Sequence, residues 1–369
     1  MNKKIIDIRN EARSLLSLRG ELLKKMACYN LDVTTLSNSL NKDQFLKLKS
    51  IGVSSEAVKL SRNDFNLFND LKYFFTLILK YRDKNPNIIL AYTIKPVIWG
   101  GIASRFFKVD FYALITGLGF SFQGDSFRRK LLTKLVVFLY KVSLKKSQAV
   151  IFQNIDNRNT FIEKGIVELD KSYIVNGSGV DIEKFPVVDF PNRGSINFLC
   201  IARLLSEKGL REYASAAKIV KAQYPEVQFN LVGLSDSSPD AISLSEVNNW
   251  RDCINYKESN NIRLHIESCH VYVLPSYHEG LPRSSLEAMS MGRPIITTDS
   301  AGCKETVKDQ INGFKVPVKS VDKLVEKMIW FIENNDQIKQ MGLESRKIVE
   351  NKFDIRKVNK KMLKILNIK

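Results

Sequence analysis

Histidine is nearly missing from this sequence: there are three among 369 residues, at positions 265, 270 and 278. A zinc site would have to draw on these and on five cysteines, Cys28, Cys200, Cys253, Cys269 and Cys303. The cysteines are odd in number, widely spaced and never paired as C-x-x-C, which argues against a disulfide framework and fits a reducing compartment. His265 and Cys269 stand at i, i+4 with His270 beside them, but the stretch is apolar on one face and runs straight into Val271–Leu274. It reads as a buried helix–strand junction. No D-x-D carboxylate pair occurs anywhere, so no resident metal is expected. No apolar run approaches the roughly 18 residues that cross a bilayer. The opening Met-Asn-Lys-Lys-Ile-Ile-Asp-Ile breaks its apolar stretch with Asp7 and Arg9, so it reads as no signal peptide. Together these absences predict a cytosolic protein.

Acidic charge is also scarce. Lys and Arg number 57 against 39 Asp and Glu, a net charge of +18. The excess is uneven, with 29 basic and 15 acidic residues up to position 180 but 28 and 24 after it. A basic half beside a near-neutral half suggests that one domain faces something anionic: nucleic acid, lipid headgroups or a phosphorylated substrate. With 44% hydrophobic and 26% charged residues the chain is a folded globular protein. At about 150 residues per domain, its length suggests two domains.

Short β-branched and aromatic runs alternate with helix-length segments. Strands are predicted at Lys4–Ile8, Leu31–Leu36, Asn87–Tyr92, Asp110–Ile115, Ala149–Phe152 and Tyr173–Asn176. A second series follows at Ile196–Ile201, Val227–Val232, Val271–Leu274, Pro294–Thr298 and Gly313–Val316. Helical periodicity fills Gly20–Tyr29, Leu210–Gln223 and Val321–Asn334. The alternation predicts an α/β protein with parallel sheets covered on both faces. Turn residues from Asn176 to Gly194 separate the two series, which places the domains at 1–180 and 181–369, the last helix packing back on the first domain. Asn176-Gly-Ser in this stretch is read as a turn, and Gly117-Leu-Gly is too short for a dinucleotide fingerprint. Two Rossmann-like halves of this kind are expected to face each other across a cleft.

The informative stretch is Pro275-Ser-Tyr-His-Glu-Gly-Leu-Pro-Arg-Ser-Ser-Leu-Glu-Ala-Met-Ser-Met-Gly-Arg-Pro-Ile-Ile-Thr-Thr-Asp299. It begins at a strand end, turns at Gly280 and Pro282, and continues as a helix from about Arg283 to Met291. Glu279 falls in the loop and Glu287 in the second helical turn. The helix N-terminus, with Ser284 and Ser285, is a seat for an anion. In isolation, either carboxylate could be an ordinary helix charge.

Glu279 and Glu287, followed by Gly-Arg-Pro-Ile-Ile, resemble the E-x7-E signature of glycosyltransferase family 4. Cys200-Ile-Ala-Arg-Leu-Leu-Ser-Glu-Lys-Gly209 resembles the segment that opens that family's C-terminal domain, and Ala301–Val307 with Asn312-Gly-Phe resembles its continuation. In the N-terminal half the likeness is fainter: Leu18-Arg-Gly-Glu-Leu-Leu is similar to the loop and first helix. Tyr92-Thr-Ile-Lys-Pro, Thr116–Phe120 and Asn248–Tyr256 with Trp250 resemble a branch that builds bacterial surface polysaccharides and lipid-linked oligosaccharides. Two departures stand out. The cleft His of many members is missing, with Thr116 or a neighbour expected in its place, and Lys257 stands where a Gly is common.

The resemblance implies a GT-B fold and a retaining glycosyltransferase. Arg203 and Lys208 would hold the donor diphosphate, Glu279 would orient the donor sugar, and Glu287 would bind ribose hydroxyls, with Gly280, Leu281 and Ser284 lining the donor site. Arg19, Gly20, Thr116 and Gly117 would lie on the acceptor side. The implied donor is a nucleotide sugar, UDP-linked with GDP left open. The acceptor would be a polyprenyl-diphosphate-linked saccharide, and no cofactor would be needed. A nucleotide-sugar epimerase on a similar fold, or a non-enzymatic basic protein binding lipid or nucleic acid, are the alternatives.

One further segment bears on partners. Ser126–Ser147 holds Arg128, Arg129, Lys130, Lys134, Lys141, Lys145 and Lys146 with no acidic residue, interleaved with leucines, valines and Phe138. As a helix it suits an anionic membrane surface, so peripheral attachment at the cytoplasmic face is expected. No nucleic-acid-binding motif accompanies the charge, so nucleic acid is not expected as a partner.

Overall fold

The structure is a computed structural model and describes residues 2–368 apart from Ala12, Ser39, 61–66, 119–126, 192–193, Ser237, Pro239 and Asn260. Gly119, Phe120 and Ser126 of the segments above therefore lie outside the described residues, as do the side chains of Arg128 and Arg129.

Among the described residues the chain forms two all-parallel sheets. The first contains β1 (Lys4–Glu11), β2 (Asp32–Asn38), β3 (Ser54–Ala57), β4 (Ile88–Tyr92), β5 (Asp110–Ile115), β6 (Ala149–Phe152) and β7 (Ser172–Ile174), in the order β3-β2-β1-β4-β5-β6-β7. The second contains β8 (Asn197–Ile201), β9 (Gln228–Val232), β10 (Asn255–Lys257), β11 (Val271–Leu274), β12 (Ile295–Thr298) and β13 (Gly313–Val316), in the order β10-β9-β8-β11-β12-β13. Central strands such as Ile88-Ile-Leu-Ala-Tyr and Ala149-Val-Ile-Phe are buried at every position, because helices cover both faces.

One face of the first sheet carries the helices Leu67–Lys84, Ile94–Ser104 and Phe127–Leu144, whose Tyr73, Leu77, Val97, Val136 and Tyr140 share a core with Ile6, Ile89 and Phe111. The other face carries the helix Arg13–Cys28 through Leu15, Leu22, Leu23 and Met26. It also takes Met362, Leu363 and Leu366 from the end of the chain. The chain accordingly divides into Met1–Ser178 with Val358–Lys369, and Gly179–Lys357. Apolar residues at helical spacing tie the last segment into the first unit's core, so the second unit stops at Lys357.

Three local expectations need correction. Leu18–Leu23 contains no loop, since the helix begins at Arg13, and Gly20 sits inside it with room for a Cβ 3.8 Å from Leu16 Cδ2. The two edge strands β3 and β10 were not anticipated; Ser-Ser-Glu-Ala and Asn-Tyr-Lys are short, polar and half-exposed. The basic helix ends at Leu144 rather than Ser147. Among the described residues no helix is long and apolar enough to cross a membrane.

Candidate active site

In each sheet the strand order reverses beside the first strand, between β1 and β4 and between β8 and β11. Ligands of open α/β sheets bind outside the carboxyl ends of the strands at such a switch point. In the second unit, the segments leaving β8 and β11 are Ala202–Gly209 and Pro275–Pro282. They hold Arg203, Lys208, Glu279, Gly280 and Leu281.

The two segments touch through a glycine. Gly209 has φ +68°, and a Cβ there would lie 2.1 Å from the Pro275 carbonyl oxygen. Only glycine allows both the backbone shape and the approach. The short turn Ser206–Lys208 thereby places the Lys208 ammonium 2.8 Å from Glu279 Oε1 and 3.3 Å from Glu207 Oε1. Ser276 Oγ donates to the same Glu279 oxygen at 3.1 Å. Burial alone would lower the lysine's pKa, but the two carboxylates outweigh it and hold the group above its ordinary value. The Glu279 loop is fixed from behind: its N–H donates to the Ala301 carbonyl at 2.9 Å, and Gly302, at φ +78°, has its Cβ position only 2.3 Å from the Glu279 carbonyl oxygen.

Arg203 is more exposed. Its Nη1 donates to Asp236 Oδ2 at 2.5 Å, and Asp236 also accepts from the Ser238 N–H at 2.9 Å and from the Ser238 hydroxyl. Burial pulls the Asp236 pKa up, yet these hydrogen bonds and the guanidinium leave it below the usual aspartate value.

The helix Arg283–Ser290 starts immediately after the Glu279 loop. Glu287 is buried, and its Oε1 accepts from Arg283 Nε at 2.8 Å, one turn back. Burial pushes its pKa up, and Arg283 offsets this only in part. Ser284 Oγ accepts from the Tyr272 hydroxyl at 2.6 Å and donates to the Ile201 carbonyl at 3.2 Å, pinning the helix to β8 and β11. The Ser285 hydroxyl beside it is fully buried and has no partner among the described residues. Leu281 packs on the second unit's core.

In the first unit the switch point holds a cluster that the sequence reading did not single out. Arg9 and Asp7 on β1 form a buried fork, Nε to Oδ1 at 2.5 Å and Nη2 to Oδ2 at 2.9 Å, and the guanidinium lies 3.9 Å from the Tyr92 ring centroid. Arg19 is also buried. Its guanidinium lies 5.9 Å from the same ring, and Nη2 donates to the Gly177 carbonyl at 3.2 Å. With the Gln153 amide oriented to satisfy both ends, Gln153 accepts from Arg19 Nη2 and donates to the Thr116 carbonyl, each at 3.3 Å. The expected acceptor-side residues Arg19 and Thr116 are thus linked. Among the described residues nothing lies within 4 Å of the Gly117 Cβ position.

Among the described residues no group of three His, Cys, Asp or Glu side chains could hold a metal ion. His270 instead accepts from the Asn197 N–H through Nδ1 at 3.1 Å, at the buried junction before β11.

Comparison with known proteins covers both units. The model "Glycosyl transferases group 1" matches residues 181–348, and "Glycosyl transferase 4-like" matches 11–154. Both parts of the chain thus match glycosyltransferase family models. The first match spans Arg203, Lys208, Glu279 and Glu287; the second spans Arg19, Gly20, Thr116 and Gly117. The N,N'-diacetylbacillosaminyl-diphospho-undecaprenol alpha-1,3-N-acetylgalactosaminyltransferase of Campylobacter jejuni is 29% identical over 301 residues, covering 78% of this chain and 79% of its own. The UDP-Gal:alpha-D-GlcNAc-diphosphoundecaprenol alpha-1,3-galactosyltransferase of Escherichia coli is 26% identical over 315 residues, covering 80% and 79%. Among solved structures, Anabaena HepE in complex with UDP-glucose superimposes with a TM-score of 0.78 at 15% identity, covering 99% of both chains. The fold is GT-B, and this glycosyltransferase has the parallel-sheet units expected of it.

Proposed function

We propose that the chain is a retaining hexosyl- or N-acetylhexosaminyltransferase, taking its sugar from a nucleotide diphosphate, UDP by preference, and passing it to a polyprenyl-diphosphate-linked saccharide. The observation that carries this reading is the Lys208–Glu279 pair at the β8/β11 switch point, with Arg203 on the adjoining segment. The acceptor class rests on the Campylobacter and E. coli relatives, both of which act on sugars linked to diphospho-undecaprenol.

The chemistry follows from the charges. As the bond between the anomeric carbon and the diphosphate oxygen breaks, negative charge grows on the leaving group. Arg203 and Lys208 stabilise that growth more than they stabilise the bound donor. The acceptor hydroxyl attacks from the same face and its proton passes to the departing diphosphate, so no protein nucleophile is needed. Glu279, held by Lys208 and Ser276, orients the donor sugar; Glu287 takes the ribose hydroxyls. No resident metal takes part, because the protein's own cations and the N-terminus of the helix Arg283–Ser290 meet the charge. The enzyme works at the cytoplasmic face of a membrane, attached peripherally through the basic helix Phe127–Leu144.

The test is product analysis with a panel of UDP- and GDP-sugars and polyprenyl-diphosphate saccharides. Transfer of one sugar with donor anomeric configuration retained, read by NMR, is the expected result. Conversion of the donor to an epimer without acceptor would replace this reading with the epimerase. Neither transfer nor epimerisation would remove both.

A further inference from the structure

The helix Leu67–Lys84 breaks the amphipathic rule. Its inner face is apolar, as packing requires, with Tyr73, Leu77 and Tyr81 buried against the sheet. Its outer face is apolar as well. Leu67, Phe68, Leu71, Phe75 and Leu79 are all exposed, Phe68 at 85% and Leu67 at 66%. At 3.6 residues per turn these five fall within an arc of about 120° and form a strip roughly 18 Å long. A surface helix as a rule turns one apolar stripe toward its core, and a contiguous exposed apolar patch beyond that stripe marks an interaction surface.

Neighbouring helices extend the patch. The helix Ile94–Ser104 packs against both Leu67–Lys84 and Phe127–Leu144, so the three form one layer over the same sheet face. Just past its end, Phe106 is 70% exposed, its ring 6.4 Å from that of Phe74. On the third helix Leu131, Leu135 and Phe138 are exposed, and beside them stand exposed Lys130, Lys134 and Lys141. The carboxylates of these helices are paired with cations, Asp70 with Lys95 at 2.8 Å and Asp83 with Lys84 at 3.9 Å.

Apolar side chains bordered by lysines fit one occupant, an anionic lipid leaflet. Lysine stems lie along the acyl region while the ammonium groups reach the headgroups. A second copy of the chain would bring lysine row against lysine row across a two-fold axis, which like-charge repulsion opposes. We infer that the outer face of this three-helix layer is a bilayer-contact surface, in which Leu67–Lys84 inserts its apolar strip and Phe127–Leu144 supplies the headgroup contacts. This rests on the reading of a lipid-linked acceptor and deepens it, because attachment no longer depends on the basic helix alone.

The test is co-sedimentation of the full-length protein with vesicles of phosphatidylethanolamine and phosphatidylglycerol, which requires neither donor nor acceptor. Combined Phe68→Ser, Leu71→Ser and Phe75→Ser should weaken partitioning by roughly a hundredfold or more, at low and high salt alike. The melting temperature should hold, since the three side chains are exposed. Combined Lys130→Gln, Lys134→Gln and Lys141→Gln should weaken binding at low salt and make little difference at high salt. Leu264→Ser, at an equally exposed apolar site in the other unit, should leave binding unchanged. Vesicle binding by the triple serine variant equal to the parent's would overturn the inference, as would equal release by Leu264→Ser. So would a parent that ignores vesicles and forms a dimer which the serine variant dissociates. Absence of any transfer activity would count against the proposed reaction and leave the vesicle result standing.

Discussion

The Lys208 ammonium and the Glu279 carboxylate meet at 2.8 Å across 71 residues of sequence. Both side chains are largely withdrawn from water, so each is the other's counter-ion as well as a candidate donor contact. The proposed catalytic role and the structural one therefore fall on one pair, and experiments have to separate them.

Arg203→Ala and Lys208→Ala should lower kcat more than they weaken donor binding, because the diphosphate gains charge as the bond breaks. Each loss is expected to cost about 2.7–4 kcal/mol, or roughly 10²–10³ in rate. Glu279→Ala should also lower the melting temperature, since it strips a buried ammonium of its nearer partner at a cost of about 3–5 kcal/mol. Glu207 at 3.3 Å keeps that figure toward the lower end. Steady-state kinetics at saturating donor, with a melt of each variant, checks this. Full turnover in Arg203→Ala and Glu279→Ala would remove the donor-site assignment.

Glu287 gives a pH signature. Its folded pKa is raised by burial, so its favourable contribution is complete below the ordinary glutamate pKa and fades as pH rises through the folded value. Glu287→Gln does not titrate. The melting-temperature difference, variant minus parent, should therefore become more positive as pH rises from the usual carboxylate range toward neutrality. A flat difference across that range would show that burial does not penalise the charge. On activity, Glu287→Ala should raise the donor KM with little change in kcat, as for a contact made equally before and during reaction.

Gly209→Ala and Gly302→Ala test the loop packing. Both glycines have positive φ, and each would drive a Cβ into a carbonyl oxygen of the Pro275–Gly280 segment, at 2.1 Å and 2.3 Å. Each should destabilise by more than the ~1 kcal/mol typical of a strain-free glycine exchange and should weaken donor binding. Calorimetric donor titration together with thermal melts is the measurement. Unchanged affinity in both would separate these loops from the donor.

Transfer activity should survive exhaustive chelation. If chelated protein is inactive and Mg²⁺ or Mn²⁺ restores it, the charge on the leaving diphosphate is met by a metal rather than by Arg203 and Lys208.

Central strands were legible because burial on both faces demands unbroken apolar runs, as in Phe198–Ile201 and Val271–Leu274. The edge strands Ser54–Ala57 and Asn255–Lys257 were not, since an edge needs neither alternation nor apolar mass. At the site, Glu279 and Glu287 stood out through local spacing. Their surroundings did not: Asp236 lies 33 residues from Arg203, and Tyr272 reaches Ser284 from a strand interior. Such pairings arise when strands line up, and one-dimensional spacing carries no trace of them. The outer strip of Leu67–Lys84 was missed for a different reason. Periodicity finds an apolar face and not how wide it runs, and here it extends past the residues that meet the core; the excess of Leu and Phe was the available signal.

Because Met362, Leu363 and Leu366 fill one face of the first unit's core, that unit stays unfinished until nearly the whole chain has left the ribosome. Gly179–Lys357 is continuous and contains its own core, so it has all its parts earlier. Translation therefore reverses the order in which the units are written. The nascent first unit waits with the part of its core that Met362, Leu363 and Leu366 fill still open, while the unit encoded after it has all its parts.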